Sequence, residues 1–98
     1  MPIKKEEILQ KLKTIKPELQ ARHQLTELAL FGSYARDEQT AESDIDIMVN
    51  TANKSFRNYL AVIDLLELQF PDFQIQVVSK GAIKPNYFEY VKSDLLYV

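Results

Sequence analysis

The sequence predicts an α/β (α+β) fold, a small mixed three-stranded sheet flanked by helices, in one domain spanning residues 1–98. Two observations carry this reading. Residues 27–31, 44–49 and 73–78 are apolar or alternate apolar and polar with period two, the spacing of strands that bury at least one face. Around them lie stretches whose apolar residues recur every three or four positions, the spacing of amphipathic helices. Strands separated by helices build a sheet that helices cover.

Ile8, Leu12, Ile15 and Leu19 recur at helical spacing among Lys, Glu and Gln. Pro17 falls inside that stripe and predicts a break, or the first turn of a second short helix. Glu27-Leu28-Ala29-Leu30-Phe31 reads as a buried strand closed by Gly32, and Ser33 to Arg36 as the start of a short helix with Ser33 at its N-cap. Asp37 to Ser43 is polar and forms a loop before the alternating strand Asp44-Ile45-Asp46-Ile47-Met48-Val49. Ser55 caps the clearest helix, whose stripe is Phe56, Tyr59, Leu60, Ile63, Leu66 and Phe70, and Pro71 stops it. Ala61, Val62, Leu65 and Leu68 lie off that stripe and are free to face a neighbouring helix, a partner or a second copy. Phe73 to Val78 is the third strand, and Pro85 opens a last helix carrying Tyr87, Phe88, Val91 and Leu95.

Composition narrows the function. The net charge of −2 gives no cationic field for nucleic acid or anionic lipid. Without cysteine there is no disulfide, zinc-thiolate site or thiol nucleophile, and the one histidine, His23, builds no histidine pair. Met1-Pro2-Ile3 runs directly into charged residues, which does not read as a secretory leader. No apolar stretch is long enough to span a bilayer, so a cytoplasmic protein is expected.

The stretch from Phe31 to Val49 holds the chemistry. Side chains at i and i+2 of a strand share a face, so Asp44 and Asp46 project together, roughly 6–7 Å apart along the strand. Two carboxylates so placed suit one divalent cation, and magnesium favours one or two carboxylates plus substrate phosphate oxygens. A glycine after a strand lets backbone approach a phosphate, and the amides of the following turn point at an anion. The Ser33 hydroxyl and the Arg36 guanidinium, one turn on, add donors.

Phe31-Gly32-Ser33, ten residues, then Asp44-Ile45-Asp46-Ile47 resembles the signature of the DNA polymerase beta nucleotidyltransferase superfamily. More narrowly, Gly32-Ser33-Tyr34-Ala35-Arg36 with Ser43-Asp44-Ile45-Asp46 is similar to the minimal nucleotidyltransferases, the MNT-type antitoxins paired with helical HEPN-type toxins. The likeness extends through Val78-Ser79-Lys80-Gly81-Ala82-Ile83-Lys84-Pro85 and the closing helix. It implies that Gly32, Ser33 and Arg36 bind the triphosphate of ATP and that Asp44 and Asp46 are catalytic and hold Mg2+ at a two-metal site. The implied reaction places AMP on a tyrosine hydroxyl of the partner protein.

The chain departs from the family pattern twice. Asp37 stands where the family usually has glycine, which a turn needing positive φ tolerates, though its charge opposes a triphosphate. Gln76 stands where active members carry a third carboxylate. It brings no charge and accepts no proton, and Asp72, four residues earlier, is the only nearby substitute. Two functions therefore compete: an adenylylating antitoxin, and a weakened homologue that neutralises its partner by binding alone. A third, base stacking on Tyr87, Tyr90 and Tyr97, is disfavoured by the acidic balance.

Overall fold

The computed structural model describes residues 3–98; Met1 and Pro2, part of the stretch that does not read as a secretory leader, lie outside the described residues. A first helix, α1 (Lys5–His23), leads into strand β1 (Leu25–Phe31). Strand β2 (Ile45–Thr51), helix α2 (Phe56–Gln69), strand β3 (Ile75–Ser79), helix α3 (Pro85–Val91) and a short strand β4 (Leu96–Tyr97) follow. The sheet order is β3-β2-β1-β4. β1 runs antiparallel to both β2 and β4, whereas β3 runs parallel to β2 through the α2 crossover.

Four strands, not three, make the sheet. Helix α3 ends at Val91, a 3-10 turn at Lys92–Asp94 reverses the chain, and Leu96 and Tyr97 pair with Leu30 and Ala29. Leu95 therefore belongs to the approach to β4 and not to the closing helix. Two residues are too short to show a period of two, so the sequence hides them.

Pro17 does not break α1. Ile8, Leu12, Ile15 and Leu19 form one buried stripe on both sides of it. The ring occupies an exposed position, and Lys13, whose carbonyl loses its partner, is an exposed residue too. Water can satisfy that carbonyl, while packing of the stripe holds the axis together.

Sheet faces divide the core in two. Leu28, Leu30, Ile45, Ile47 and Val49 pack with the α1 stripe and with Val62, Leu66 and Phe70. On the opposite face Ala29, Phe31 and Met48 meet Val91, with Val78, Phe88 and Leu95 around them. The buried stripe of α2 is thus rotated from the predicted one. Val62 and Leu66 are wholly buried, whereas Phe56 and Leu60, assigned to the core by periodicity, are 71% and 45% exposed. Val62 is a core residue, Leu65 packs half-buried against the core and Ala61 is half-buried, leaving Leu68 as the exposed member of the off-stripe set.

Asn58 lies on this rotated stripe. Among the described residues it is the one buried polar residue, one turn inside the Ser55 N-cap, whose hydroxyl accepts the Asn58 N–H at 3.2 Å. Its amide donates to the carbonyls of His23 (2.9 Å) and Asn53 (3.2 Å), and its Oδ1 lies 3.0 Å from His23 Nδ1. The end of α1 is thereby tied to the start of α2. Asn58→Ala leaves these groups without partners and is expected to cost about 2–3 kcal/mol. A lowered urea midpoint at unchanged m-value would show it.

The outer edge of β3 is blunted. Ile45 N–H bonds the Gln74 carbonyl, so alternate carbonyls along β3 point away from β2. The Tyr59 hydroxyl donates to one of these, the Val77 carbonyl, and burial pushes the Tyr59 phenol up from its usual pKa. A covered edge carbonyl discourages pairing with a foreign strand.

Candidate functional site

Asp46 sits on β2 directly between Phe31 on β1 and Gln76 on β3. Paired residues share a face, so Asp46 and Gln76 both project from the α3 side of the sheet, at the end away from Met48 and Val78. Asp44 lies one residue before β2 and is half-buried, like Asp46. The reverse side chains, Ile45 and Ile47, are wholly buried and anchor the strand.

Gly32 follows Phe31 immediately and has φ +78°. A Cβ added there would lie 2.1 Å from Asp46 Oδ2 and 3.0 Å from its Cγ. The Asp46 carboxylate thus occupies the space a side chain at 32 would fill. This contact brings the glycine turn directly against Asp46.

Residues 33–37 are a single turn and not the short helix that the sequence predicts. Arg36 N–H bonds Gly32 C=O at 3.2 Å, but the chain then closes on itself. Glu38 N–H reaches Ser33 C=O at 2.9 Å and Asp37 N–H reaches Tyr34 C=O at 3.3 Å, the paired bonds of a Schellman motif. Its left-handed position is Asp37, with φ 58°. Aspartate therefore fills the role that glycine serves in the family pattern. Its charge is not left facing the site, because Lys5 Nζ bonds Asp37 Oδ2 at 2.9 Å. Tyr34, buried, roots the turn in the larger core.

The electrostatics of the carboxylates follow from placement. Burial, then the neighbouring charge of Asp44, push the Asp46 carboxyl above its usual 3.8, while the Arg36 guanidinium pulls the other way. Such a donor pair is under repulsion that a divalent cation relieves, so the residues present fit magnesium as two carboxylate ligands. Among the described residues no three His, Cys, Asp or Glu gather into a metal cluster. Gln76 takes the flank where a third carboxylate would stand, and it is exposed. Asp72 is exposed in the turn before β3 and does not join.

Arg36 is the site residue whose surroundings the sequence misses. Its Nε donates to Glu38 Oε1 at 2.9 Å and its Nη1 to Asp94 Oδ2 at 2.6 Å. Glu38 lies two residues along, a local signal; Asp94 is 58 positions away, with no local signal. A separate concavity of about 700 Å³, between the amino ends of α2 and α3, is lined by Phe56, Tyr59, Val78, Ile83 and Tyr87. None of the predicted site residues lines it. Among the described residues no helix is long and apolar enough to cross a membrane.

The nucleotidyltransferase domain family matches residues 12–97, and the chain belongs to that family. It is a nucleotidyltransferase by class. A Methanocaldococcus jannaschii protein named, provisionally, a protein adenylyltransferase is 42% identical over 96 residues, covering 94% of this chain and 92% of that protein. A solved structure described, again provisionally, as a minimal nucleotidyltransferase superposes with a TM-score of 0.79 at 23% identity, over 96% of this chain and 95% of that one. A chain from a mutant toxin–antitoxin pair, MntA–HpeT, superposes at 0.63 with 20% identity, over 97% of this chain and 71% of that one. At those identities the structural likenesses speak for the fold alone.

Proposed function

We propose that this protein is a single-domain, cytoplasmic antitoxin that transfers AMP from ATP, with Mg2+, to a tyrosine hydroxyl of a helical HEPN-type partner. The observation carrying this reading is the contact between the Asp46 carboxylate and the Cα face of Gly32, which brings the glycine turn against one of the two carboxylates. The naming of a 42% identical relative as a protein adenylyltransferase supports the transferred group, and the resemblance of the Gly32–Arg36 and Ser43–Asp46 motifs to the MNT-type antitoxins supports the kind of partner.

Gly32, Ser33 and Arg36 bind the triphosphate: glycine by allowing close approach, serine and arginine as donors. Asp44 and Asp46 would hold magnesium, which supplies charge neutralisation for the phosphates. The tyrosine oxygen bonds to the α-phosphorus as the bond to the β-phosphate oxygen breaks, and pyrophosphate leaves. The tyrosine proton, at an unperturbed pKa of about 10, passes to water, because Gln76 cannot accept it.

A second reading rests on Gln76 itself. With no carboxylate beside Asp46 on β3, the protein neutralises its partner by binding and has kept an ancestral nucleotide pocket. The intact mass of the partner after incubation with this protein, ATP and Mg2+ separates the two. A gain of an adenylyl group, absent with Asp46→Asn, supports transfer; an unchanged mass in a stable complex supports binding alone. Gln76→Asp is expected to raise the transfer rate about tenfold or more by restoring a base and a ligand. An unaltered rate would remove the missing carboxylate as the limiting defect.

A further inference from the structure

The guanidinium of Arg36 is held by two carboxylates of unequal standing. Asp94, on the 3-10 turn before β4, is 17% exposed and bonds Nη1 at 2.6 Å; Glu38 is 61% exposed and bonds Nε through one oxygen at 2.9 Å. Breaking the first contact strands a largely enclosed carboxylate, whereas breaking the second returns Glu38 to water. β4 pairing fixes the Asp94 backbone against β1, the strand that also feeds the Gly32 turn.

Glu38 sits on the edge of the guanidinium formed by Nε and Nη2. That edge presents two parallel donors and is one of those that arginine offers to phosphate. A single carboxylate oxygen there occupies the position of a phosphate oxygen.

We propose that Asp94 is a positioning residue that fixes Arg36 beside the Gly32-Ser33 turn, and that Glu38 is an internal stand-in displaced from Arg36 by a phosphate of the bound nucleotide. The inference rests on the nucleotide-site reading above and deepens it. It assigns opposite signs to two acidic residues that touch the same arginine. Losing Glu38 removes a competitor and a repelling charge; losing Asp94 releases the arginine.

Calorimetric titration of the protein with ATP and Mg2+ tests it without reference to catalysis. Glu38→Gln is expected to tighten binding about three- to fivefold, within the range of one exposed ion pair. Asp94→Asn is expected to weaken it by about the same factor or more, and Asp94→Glu to recover part of the loss. In an Arg36→Gln background the Glu38→Gln gain should vanish, which a general charge effect would not do. Because Glu38 is exposed, its variant keeps the fold even if a thermal melt shows that the Asp94 variant does not. Unchanged or weaker binding by Glu38→Gln, with the wild type binding normally, overturns the stand-in. Unchanged binding by a folded Asp94→Asn overturns the positioning role. Wild-type binding too weak to detect that Glu38→Gln restores would support the displacement, whereas no binding by either overturns the nucleotide-site reading and this inference with it.

Discussion

Asp46→Asn is expected to reduce AMP transfer by about 100-fold or more while leaving the protein folded and, without magnesium, at least as stable as the wild type at pH 7. The two effects have one origin. Burial and the charge of Asp44 both disfavour the ionised Asp46 carboxylate, so its folded-state pKa lies above its unfolded value. Between those values the native state binds more protons, and wild-type stability falls as pH rises through that window from 3.8 upward. Asparagine is nearly isosteric and carries no charge, so it removes the penalty together with the pH dependence. It also removes one of the two carboxylates proposed to hold magnesium, and losing even an outer partner of a metal ligand costs roughly 10- to 100-fold. Added Mg2+ should therefore raise the melting temperature of the wild type and not of the variant. Thermal melts from pH 3 to 8, with and without the ion, check this. A variant less stable than wild type at pH 7 without magnesium would mean that the carboxylate serves the fold and not a cation.

The site was legible where chemistry and backbone coincide. A glycine at a strand end and two carboxylates of one parity are local patterns, and β1 and β2 bring them together by simple antiparallel pairing of Phe31 with Asp46. Gln76, singled out by the family resemblance, stands beside Asp46 because β2 and β3 pair in register. What escaped the sequence depends on distant partners. Asp94 reaches Arg36 from the far end of the chain, and β4 exists because β1 offers it a free edge. Pro17 misled because the rule against proline concerns one hydrogen bond, and the flanking stripe of α1 outweighs it. The α2 stripe misled because hydrophobicity alone does not show that an asparagine is buried for its hydrogen bonds. Asn58 shares the buried stripe with Val62 and Leu66, and Phe56 lies outside it.

Gly32→Ala tests the junction itself and should be the most damaging single methyl in the molecule. Two costs combine. Alanine at φ +78° pays about 1–2 kcal/mol for the left-handed conformation. Its Cβ would also fall 2.1 Å from Asp46 Oδ2, so the carboxylate must swing away or the strands must part at the Phe31–Asp46 pair. The sum is expected to be about 2–4 kcal/mol, which in a domain of this length lowers the melting temperature by roughly 10 °C or more. The clash can be separated from the strain. In the double variant Gly32→Ala with Asp46→Ala the offending oxygen is gone, so part of the loss should return and the two substitutions should not add. Additive losses would mean that the alanine is harmed only by its own backbone and that Asp46 yields freely. The single variant should also lose any magnesium-dependent stabilisation, because the Asp46 carboxylate is displaced from its place against the glycine turn. If it keeps that stabilisation undiminished, the cation is held without the geometry that the glycine imposes, and the site must be centred elsewhere.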